Sequence, residues 1–350
     1  MGSILSDSLM KRVSELSVEG KRALAAELRR MVAEELAPEH DGTCPRCGCA
    51  AVVRKGHGRD GSQRWLCRGC GRTFCARTMS VAGQSRLPKD VWMAFAEGMA
   101  DGLTLRDLAE RCSVCLKTSW FMRMRMCEAM ARHLDAFRSG PGISVEVDGT
   151  MLHESLSGNA SRGPFSMPRK PRRSYHGLHV RGVSGQLACV VCGANDRGDC
   201  FCELVGRAHA DSEAIRCALE GRIAAGTTVA TDDLPAYDGA LAAIPCGHEV
   251  RPSGGTAKLG MVNALHKRLA DFLRPFNGVA TRRLQRYLWW FCWVEQFRHG
   301  DADRRELVCG EASSGTYSTT IREAFHEPRF LMGYWEKRGW QATGTAVRVN

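Results

Sequence analysis

The chain of 350 residues lacks any apolar run of about eighteen residues, the length that a membrane-spanning helix requires. Its first segment, MGSILSDSLMKRVSELS, also lacks the uninterrupted apolar core of a signal peptide. A phosphate-binding loop of the form Gly-x4-Gly-Lys is missing as well, so the sequence offers no site for an ATP-driven reaction. These absences predict a cytosolic protein that has no membrane partner and needs no nucleotide.

Negative charge is in short supply relative to positive charge. The sequence has 49 Lys and Arg residues against 38 Asp and Glu residues, which gives a net charge of +11 and a pI of about 9.0. A basic balance of this kind favours a polyanionic partner such as nucleic acid. The hydrophobic fraction of 44% and the chain length are typical of two or three domains with their own cores.

Cysteine, in contrast, is abundant, with 17 residues. Two C-x2-C pairs, separated by nineteen residues and each followed by glycine, are formed by Cys44, Cys47, Cys67 and Cys70. Four thiolates at this spacing satisfy one tetrahedral zinc ion, and the metal folds a segment too short to build a core. We therefore predict a structural zinc ribbon over residues 41–78. The odd total and the apolar surroundings of several other cysteines indicate reduced thiols rather than a disulfide scaffold.

Helical patterns flank this ribbon on both sides. Residues 1–40 show apolar positions at helical spacing, with Ser17 as an N-cap, and predict an N-terminal helical segment. Residues 84–138 contain a short helix LRDLAERC, a turn SVC and a longer helix that starts at LKTSW. This is the pattern of a helix-turn-helix, whose last helix places its first residues in the major groove of DNA. The candidate DNA-contacting residues are Lys117, Thr118, Ser119 and Arg123.

The region 140–300 alternates strands and helices and carries acids at the predicted strand ends. The strand GISVEVDGTML alternates apolar and polar residues, so that Glu146 and Asp148 share its polar side. The segments HGLHVRGVS and QLACVVCGAND predict two further strands in a hairpin, followed by a helix and a short strand that ends in Asp232 and Asp233. Two amphipathic helices, VNALHKRLADFLRPF and TRRLQRYLWWFCWVEQF, complete the region.

This order of elements is typical of a ribonuclease-H-like fold, in which two acids on neighbouring strands face a third ligand on a later helix. Carboxylates in such a site bind magnesium or manganese, because hard cations prefer oxygen ligands. Two ions held this way activate a water or a 3′ hydroxyl and stabilise the leaving oxygen of a phosphodiester. The predicted fold class is therefore a multidomain α+β or α/β chain: an N-terminal helical segment, a zinc ribbon, a helix-turn-helix and a ribonuclease-H-like catalytic domain. We assign no chemistry to the C-terminal extension over 301–350.

A segment rich in Gly, Pro and Ser follows the first predicted strand of this region, at 155–177, and contains no acid. Its cations include Arg169, Lys170, Arg172 and Arg173. We predict a flexible loop above the active face that binds DNA phosphates in a salt-dependent manner.

Taken in order, several segments resemble one family: the ribbon CPRCG…RWLCRGCGRTF, the helix-turn-helix, VEVDGT, ATDDLPAY and VNALHKRL…LQRYLWWF. They resemble the zinc-ribbon insertion-sequence transposases with a DDE-type catalytic domain, the fifteen-ninety-five family, over about residues 41–298. The resemblance implies a DNA transposase of the bacterial cytosol that binds the terminal inverted repeats of a mobile element and joins them to target DNA. It also implies structural zinc, catalytic magnesium or manganese, and a homo-oligomer on double-stranded DNA.

The resemblance assigns the catalytic residues by position. The first acid is Asp148 in VEVDGT and the second is Asp232 in ATDD, with the adjacent Asp233 as an alternative. The family's later helix carries Asn, two residues and then an acid. Here the same helix begins its motif at Asn263, and His266 stands where the acid is expected. Both lie on one helical face, so both can approach one metal ion.

Other assignments stay open at this stage. Glu295 in WVEQF is a second candidate for the third ligand, and Glu146 is a candidate for a supporting acid near the metal. Histidine in place of an acid favours a second function, a catalytically inactive, transposase-derived protein that binds DNA through its ribbon and helix-turn-helix. A nuclease or resolvase-like repair enzyme on the same fold is a third.

Overall fold

A computed structural model describes residues 7–17, 20–21, 24, 42–58, 63–75, 78, 80–83, 85–156, 186–252, 254–276, 278–300 and 303–315 of the protein. These residues form a mixed α/β structure with two β-sheets. They belong to two compact units, the first within Met1–Ala129 and Ala302–Ser318 and the second within Met130–Asp301. No helix in the described ranges is long and apolar enough to cross a bilayer.

The first unit begins with a short helix and a three-stranded antiparallel sheet. These elements are α1 Asp7–Ser14, β1 Val52–His57, β2 Gln63–Cys67 and β3 Thr73–Cys75. Trp65 on β2 pairs with Phe74 on β3, and both rings pack beside the cysteines of the ribbon. Two of the strands, β1 and β2, therefore lie between the cysteine pairs, and the sheet has a small apolar face beside the cysteines.

Only part of the predicted N-terminal helical segment lies within the described residues. There, the Gly20 amide donates a hydrogen bond to Ser17 Oγ at 3.0 Å, which is the N-cap contact that the sequence predicted. The remainder of this segment stays a prediction.

Three helices follow in the first unit. They are α2 Lys89–Ala100, α3 Leu105–Arg111 and α4 Leu116–Arg132. Thr104 caps α3 through a reciprocal contact, in which its own amide donates to Asp107 Oδ2 at 3.1 Å and its Oγ1 accepts from the Asp107 amide. Gly102 has a φ of +73°, which allows the tight turn between α2 and α3. Helices α3 and α4 lie where the sequence placed them, and their identity as a helix-turn-helix remains a prediction.

The second unit is built around a five-stranded sheet with the spatial order β6-β5-β4-β7-β8. The strands are β4 Ser144–His153, β5 Leu187–Asn195, β6 Cys200–Arg207, β7 Thr228–Thr231 and β8 Gly247–Val250. β4, β7 and β8 are parallel to one another, whereas β5 is antiparallel to both β4 and β6. Strand β6 was not predicted. The segment HGLHVRGVS, which was predicted as a strand, lies outside the described residues.

Helices cover both faces of this sheet. They are α5 Ser212–Leu219, α6 Pro235–Leu241, α7 Gly260–Leu273 and α8 Leu284–Gln296. Val147 and Val229 face α5 and α6, whereas Ala230 belongs to the core beneath α7 and α8. Because side chains alternate along a strand and Glu146 pairs with Ala230, both Glu146 and Asp148 lie on the side of α7 and α8.

The last described helix, α9 Arg304–Ser314, belongs to the first unit and packs against α2. Arg305 Nη2 lies 2.7 Å from the carboxylate of Asp101 just after α2, and the Val81 amide donates to the carbonyl of Gly315 at 2.8 Å. We predicted no structure for this stretch, because contacts between residues 204 positions apart leave no local pattern in the sequence.

Candidate functional site

The four ribbon cysteines converge on one point. Cys44 Sγ lies 3.8 Å from Cys70 Sγ, and Cys47 Sγ lies 3.6 Å from Cys67 Sγ. All four sulfurs lie within 4.8 Å of one another. A tetrahedral zinc ion with Zn–S bonds of about 2.3 Å requires sulfurs about 3.8 Å apart, so the observed spacing fits zinc.

Local backbone geometry brings the sulfurs together. Gly48 and Gly71 both have a φ of +69°, which lets their amides donate to the carbonyls of Cys44 and Cys67 at 2.8 and 3.0 Å. The Cys70 amide points at Cys67 Sγ from 3.4 Å and, as the largest influence on this thiol, lowers the pKa of Cys67 to about 6. Amides that stabilise a thiolate favour metal binding, since the thiolate is the ligand form.

The two predicted acids lie side by side in the second unit. The parallel ladder between β4 and β7 ends at the pair Glu146–Ala230. Asp148 follows Glu146 by two residues on the same face, and Asp232 is the first residue after β7, close enough for its charge to act on Asp148. One expectation needs correction: β4 continues to His153, so Asp148 lies in the middle of this strand rather than at its end. Asp148 lies instead two residues beyond the last pair between β4 and β7.

Burial dominates the electrostatics of Asp148. Burial raises the pKa of the Asp148 carboxyl, the Gly149 amide, which donates to Oδ1 at 2.7 Å, lowers it, and the charge of Asp232 raises it; together they bring the pKa to about 6. Tyr237 on α6 is buried in the core on the other face of the sheet, and burial, followed by the charges of Asp148 and Asp232, raises the pKa of its phenol. No role was predicted for Tyr237, because a buried tyrosine after an acidic turn has no distinctive pattern.

His266 on α7 lies close to Asp148 on β4. Its Nδ1 lies 3.9 Å from Asp148 Oδ2, and its Nε2 is buried without a hydrogen-bond partner among the described residues. Burial lowers the pKa of His266 to about 4, so the imidazole is neutral near pH 7 and offers a lone pair. Asn263 lies one turn earlier on α7 and is exposed.

These residues fit a divalent cation by their chemistry. Two carboxylates and a neutral imidazole form a donor set that suits manganese or magnesium. Among the described residues, the four cysteines are the one set of three or more such ligands whose atoms all lie within 4.8 Å, so Asp148, Asp232 and His266 are more widely spaced.

The alternative ligands lie elsewhere or make other contacts. Glu295 on α8 accepts a hydrogen bond from Arg268 Nε at 2.7 Å. Arg268 is two residues from His266 on α7, which is a rotation of about 200° around the helix, so Glu295 faces the opposite flank. Asp233 is exposed, whereas Asp232 is half-buried and accepts the Leu234 amide at 3.2 Å through Oδ1.

The four predicted DNA-contacting residues of α4 divide into two groups. Lys117 is exposed and Thr118 half-buried. Contrary to expectation, Ser119 and Arg123 are buried, because their side chains donate to the carbonyls of Leu105 and Leu103, at 2.9 and 2.5 Å. These two therefore hold α4 against the preceding helix. The cationic loop residues Arg169, Lys170, Arg172 and Arg173 lie outside the described residues.

Comparison with known proteins gives a weak sequence relationship. Over 200 residues the chain is 30% identical to an uncharacterized protein in transposable element ISH50 of Halobacterium salinarum. The matched part is 56% of this chain and 63% of that protein, so the chain spans less than two thirds of its relative's length. No family model matches.

Solved structures give more distant likenesses. A chain of the simian T-cell lymphotropic virus intasome in complex with PP2A regulatory subunit B56 gamma is 11% identical, with a TM-score of 0.29 over 73% of this chain and 79% of that one. The pre-cleavage Mos1 transpososome and the Mos1 strand transfer complex are 12% and 13% identical, both with a TM-score of 0.25 over 67% of this chain and 81% and 80% of theirs. At these TM-scores the likenesses support no conclusion about the fold or the function of this chain.

The ribbon geometry predicts one zinc ion per chain. Cys44→Ser should abolish it and unfold the strands β1 to β3, since the small core between them includes the zinc-binding cysteines. Cys49→Ser is the matched control, because Cys49 lies beside the pairs but outside the converging set. Zinc content by atomic absorption and the absorption of the cobalt-substituted protein measure the effect. Equal zinc loss in both variants would contradict the assignment.

The shifted pKa values of Asp148 and His266 predict opposite effects of pH on the free energy of unfolding. The prediction applies to the zinc-loaded protein without magnesium or manganese. The Asp148 carboxyl has a pKa raised from 3.8 to about 6, so its contribution to the free energy of unfolding falls as pH rises from about 4 to about 6. The His266 imidazole has a pKa lowered from 6.5 to about 4, so its contribution rises over about pH 4 to 6.5. Each contribution is about 3 kcal/mol, and they nearly cancel.

Single variants should expose the two contributions separately. When pH is raised from 4.5 to 6, the free energy of unfolding of Asp148→Asn should increase relative to that of the wild type, and that of His266→Gln should decrease. Urea unfolding at both pH values measures this, and the effect of pH on the zinc site cancels in the comparison. If the free energies of unfolding of the wild type and both variants changed equally with pH, Asp148 and His266 would have ordinary pKa values.

Proposed function

We propose that this chain is a metal-dependent DNA transposase that binds the terminal inverted repeats of an insertion element and catalyses phosphodiester cleavage and strand transfer. The observation that carries the proposal is the meeting of Asp148, its neighbour Asp232 and His266 on one face of a five-stranded sheet. The proposal includes a zinc ribbon over 41–78, a helix-turn-helix over 84–138 and a ribonuclease-H-like domain over 140–300. The relative encoded in a transposable element supports it.

In this proposal the chain's own side chains supply the ligands and hold them in place. Asp148 and Asp232 present carboxylate oxygens on one face of the sheet, and His266 presents a neutral nitrogen from α7. The protonated phenol of Tyr237 adds no competing charge to the site. Two divalent ions bound there supply activation of a water or 3′ hydroxyl and stabilisation of the leaving oxygen.

The histidine has a consequence for the choice of ion. A neutral imidazole in place of a carboxylate removes one negative charge from the site and is a softer ligand than oxygen. Manganese accepts nitrogen more readily than magnesium does. We therefore expect manganese to support the reaction better.

DNA binding in this proposal depends on the basic surface of the first unit. Arg54 lies over the Trp65 ring, 5.7 Å from its centroid, and several other cations of the ribbon are exposed. They are Lys55, Arg64, Arg68 and Arg72. Lys117 adds a cation at the start of α4. Cations spread over a small module suit contact with phosphates, which set affinity and position.

A second candidate function is DNA binding without catalysis. The presence of His266 in place of an acid and the wide spacing of the three proposed ligands favour it. In that case the chain would bind element ends and leave them intact. A nuclease or repair enzyme would cleave DNA but form no strand-transfer products, so the same assay separates all three functions.

The cleavage prediction uses a supercoiled plasmid that carries the element's ends, incubated with manganese or magnesium. Asp148→Ala and Asp232→Ala should each lower cleavage at least about 100-fold, the upper range for loss of a residue that only supports a metal site. His266→Ala should lose cleavage as well, whereas His266→Glu should retain it and shift the preference toward magnesium, because it restores a hard oxygen ligand.

Asp233→Asn is the matched control, since Asp233 is an exposed acid adjacent to Asp232. It should cleave at nearly the wild-type rate. Binding of end DNA by the wild type without any metal-dependent cleavage would establish the second function instead, and loss of cleavage in Asp233→Asn alone would reassign the second acid.

The α4 prediction separates contact residues from structural ones. Lys117→Ala should weaken binding to all DNA sequences and reduce the slope of log affinity against log salt by about one. Ser119→Ala should leave that slope unchanged and lower the free energy of unfolding by roughly 1 kcal/mol, because it removes a buried hydrogen bond. Fluorescence anisotropy at several salt concentrations and thermal unfolding measure both. Arg132→Ala, at the opposite end of α4, controls for charge, and an equal salt effect there would contradict a role for Lys117.

A further inference from the structure

We propose that Glu146 is a positioning residue that fixes α7, and with it His266, against the strand that carries Asp148. The inference rests on the proposed function for its catalytic meaning. Its structural basis is a set of contacts between elements far apart in the sequence.

The carboxylate of Glu146 is fully engaged. Its Oε2 accepts hydrogen bonds from the amides of Met261 and Val262, at 2.7 and 3.1 Å, and its Oε1 accepts from Arg251 Nη1 at 3.0 Å. The residue is 4% exposed, and both of its cross-strand neighbours, Ala194 and Ala230, are small. With both oxygens occupied and little exposure, Glu146 is built to hold protein groups rather than an ion.

The start of α7 needs this carboxylate. The first amides of a helix have no partner within the helix, and the N-cap residue Leu259 supplies no side-chain acceptor. Met261 and Val262 are the second and third residues of the helix, so Glu146 satisfies two of these amides from a neighbouring strand. Its negative charge also complements the positive end of the helix dipole.

The same contacts set the distances in the proposed site. Asp148 follows Glu146 by two residues on the same face of β4, a separation of about 7 Å along the strand. His266 follows Val262 by four residues, or about 6 Å along the helix. The Glu146 contact therefore joins both elements within about 7 Å of the place where Asp148 and His266 meet.

Arg251 extends this arrangement to the second acid. Its own amide donates to the carbonyl of Thr231 at 2.7 Å, immediately before Asp232. Its guanidinium binds Glu146 and also Glu249, at 2.9 and 3.0 Å. The Glu146 carboxylate thus connects β4 directly to α7 and, through Arg251, to the end of β7. These are the three parts of the chain that carry the proposed ligands. Ligands in such sites must be held within about 0.5 Å of their working positions.

The test compares Glu146→Gln with wild type in the zinc-loaded, full-length protein. The amide keeps the size of the side chain but loses its charge and presents N–H donors to the donors of α7 and Arg251. We expect manganese affinity, read from the electron paramagnetic resonance of free Mn²⁺, and the cleavage rate each to fall about 10- to 100-fold. Affinity for end DNA should stay within about twofold. Hydrogen exchange in the first turn of α7 should accelerate without any metal present.

The control is Glu249→Gln, which removes the other carboxylate from Arg251 and leaves the α7 amides bound. It should match wild type in manganese affinity, cleavage and α7 exchange. Glu146→Asp, which keeps the charge but is too short to reach both amides, should also weaken manganese binding, and serves if Glu146→Gln is poorly folded.

The outcomes separate this role from the proposed function. Lower thermal stability with unchanged manganese affinity and cleavage in the Glu146 variants would overturn the positioning role alone. Wild-type protein that binds no more manganese than Asp148→Asn, and cleaves no DNA, would overturn the proposed function and this role together.

Discussion

The short parallel ladder between β4 and β7 is the constraint on which the rest of the second unit depends. It pairs three residues of each strand, from Ser144–Thr228 to Glu146–Ala230, and then stops. Because the strands are parallel, Asp148, two residues later on β4, comes close to Asp232, the first residue after β7, and Asp148 lies 3.9 Å from His266 of α7. A register shift of one residue would turn one acid toward the apolar core beneath α5 and α6. The burial that results is what raises the pKa of Asp148.

A site that buries acids without a cation would ordinarily be destabilised, and the surrounding groups limit this effect. Arg251 balances the buried charge of Glu146. His266 stays neutral beside Asp148, so it adds neither attraction nor a second buried charge. Near neutral pH the uncompensated charge is therefore that of Asp148 and Asp232, which is the charge that divalent cations would offset in the proposed function.

Features set by neighbouring residues were predictable from the sequence, and those set by distant ones were not. The cysteine spacing, the Ser17 cap and the alternation in β4 are local, and each appears in the structure as expected. Ser119 and Arg123 were predicted to contact DNA because of their position in the first turns of α4, but both side chains are buried and bind the carbonyls of Leu105 and Leu103. Strand β6 was missed although the turn before it contains Asn195 and Gly198, the latter with a φ of +87°. Helix α9 joins the first unit through long-range contacts. The partner of Glu146 lies 115 residues away along the chain.

The exchange of an acid for histidine also changes how the proposed site would bind its ions. Two carboxylates carry a charge of −2, so a pair of divalent cations would leave about two positive charges uncompensated in a partly buried place, where such charges are poorly tolerated. A phosphodiester from DNA supplies one further negative charge. In a site with a third carboxylate the protein alone would balance more of the cationic charge. With His266, full occupancy by two ions is favoured when DNA is present, so the neutral ligand couples ion binding to substrate binding by electrostatics alone.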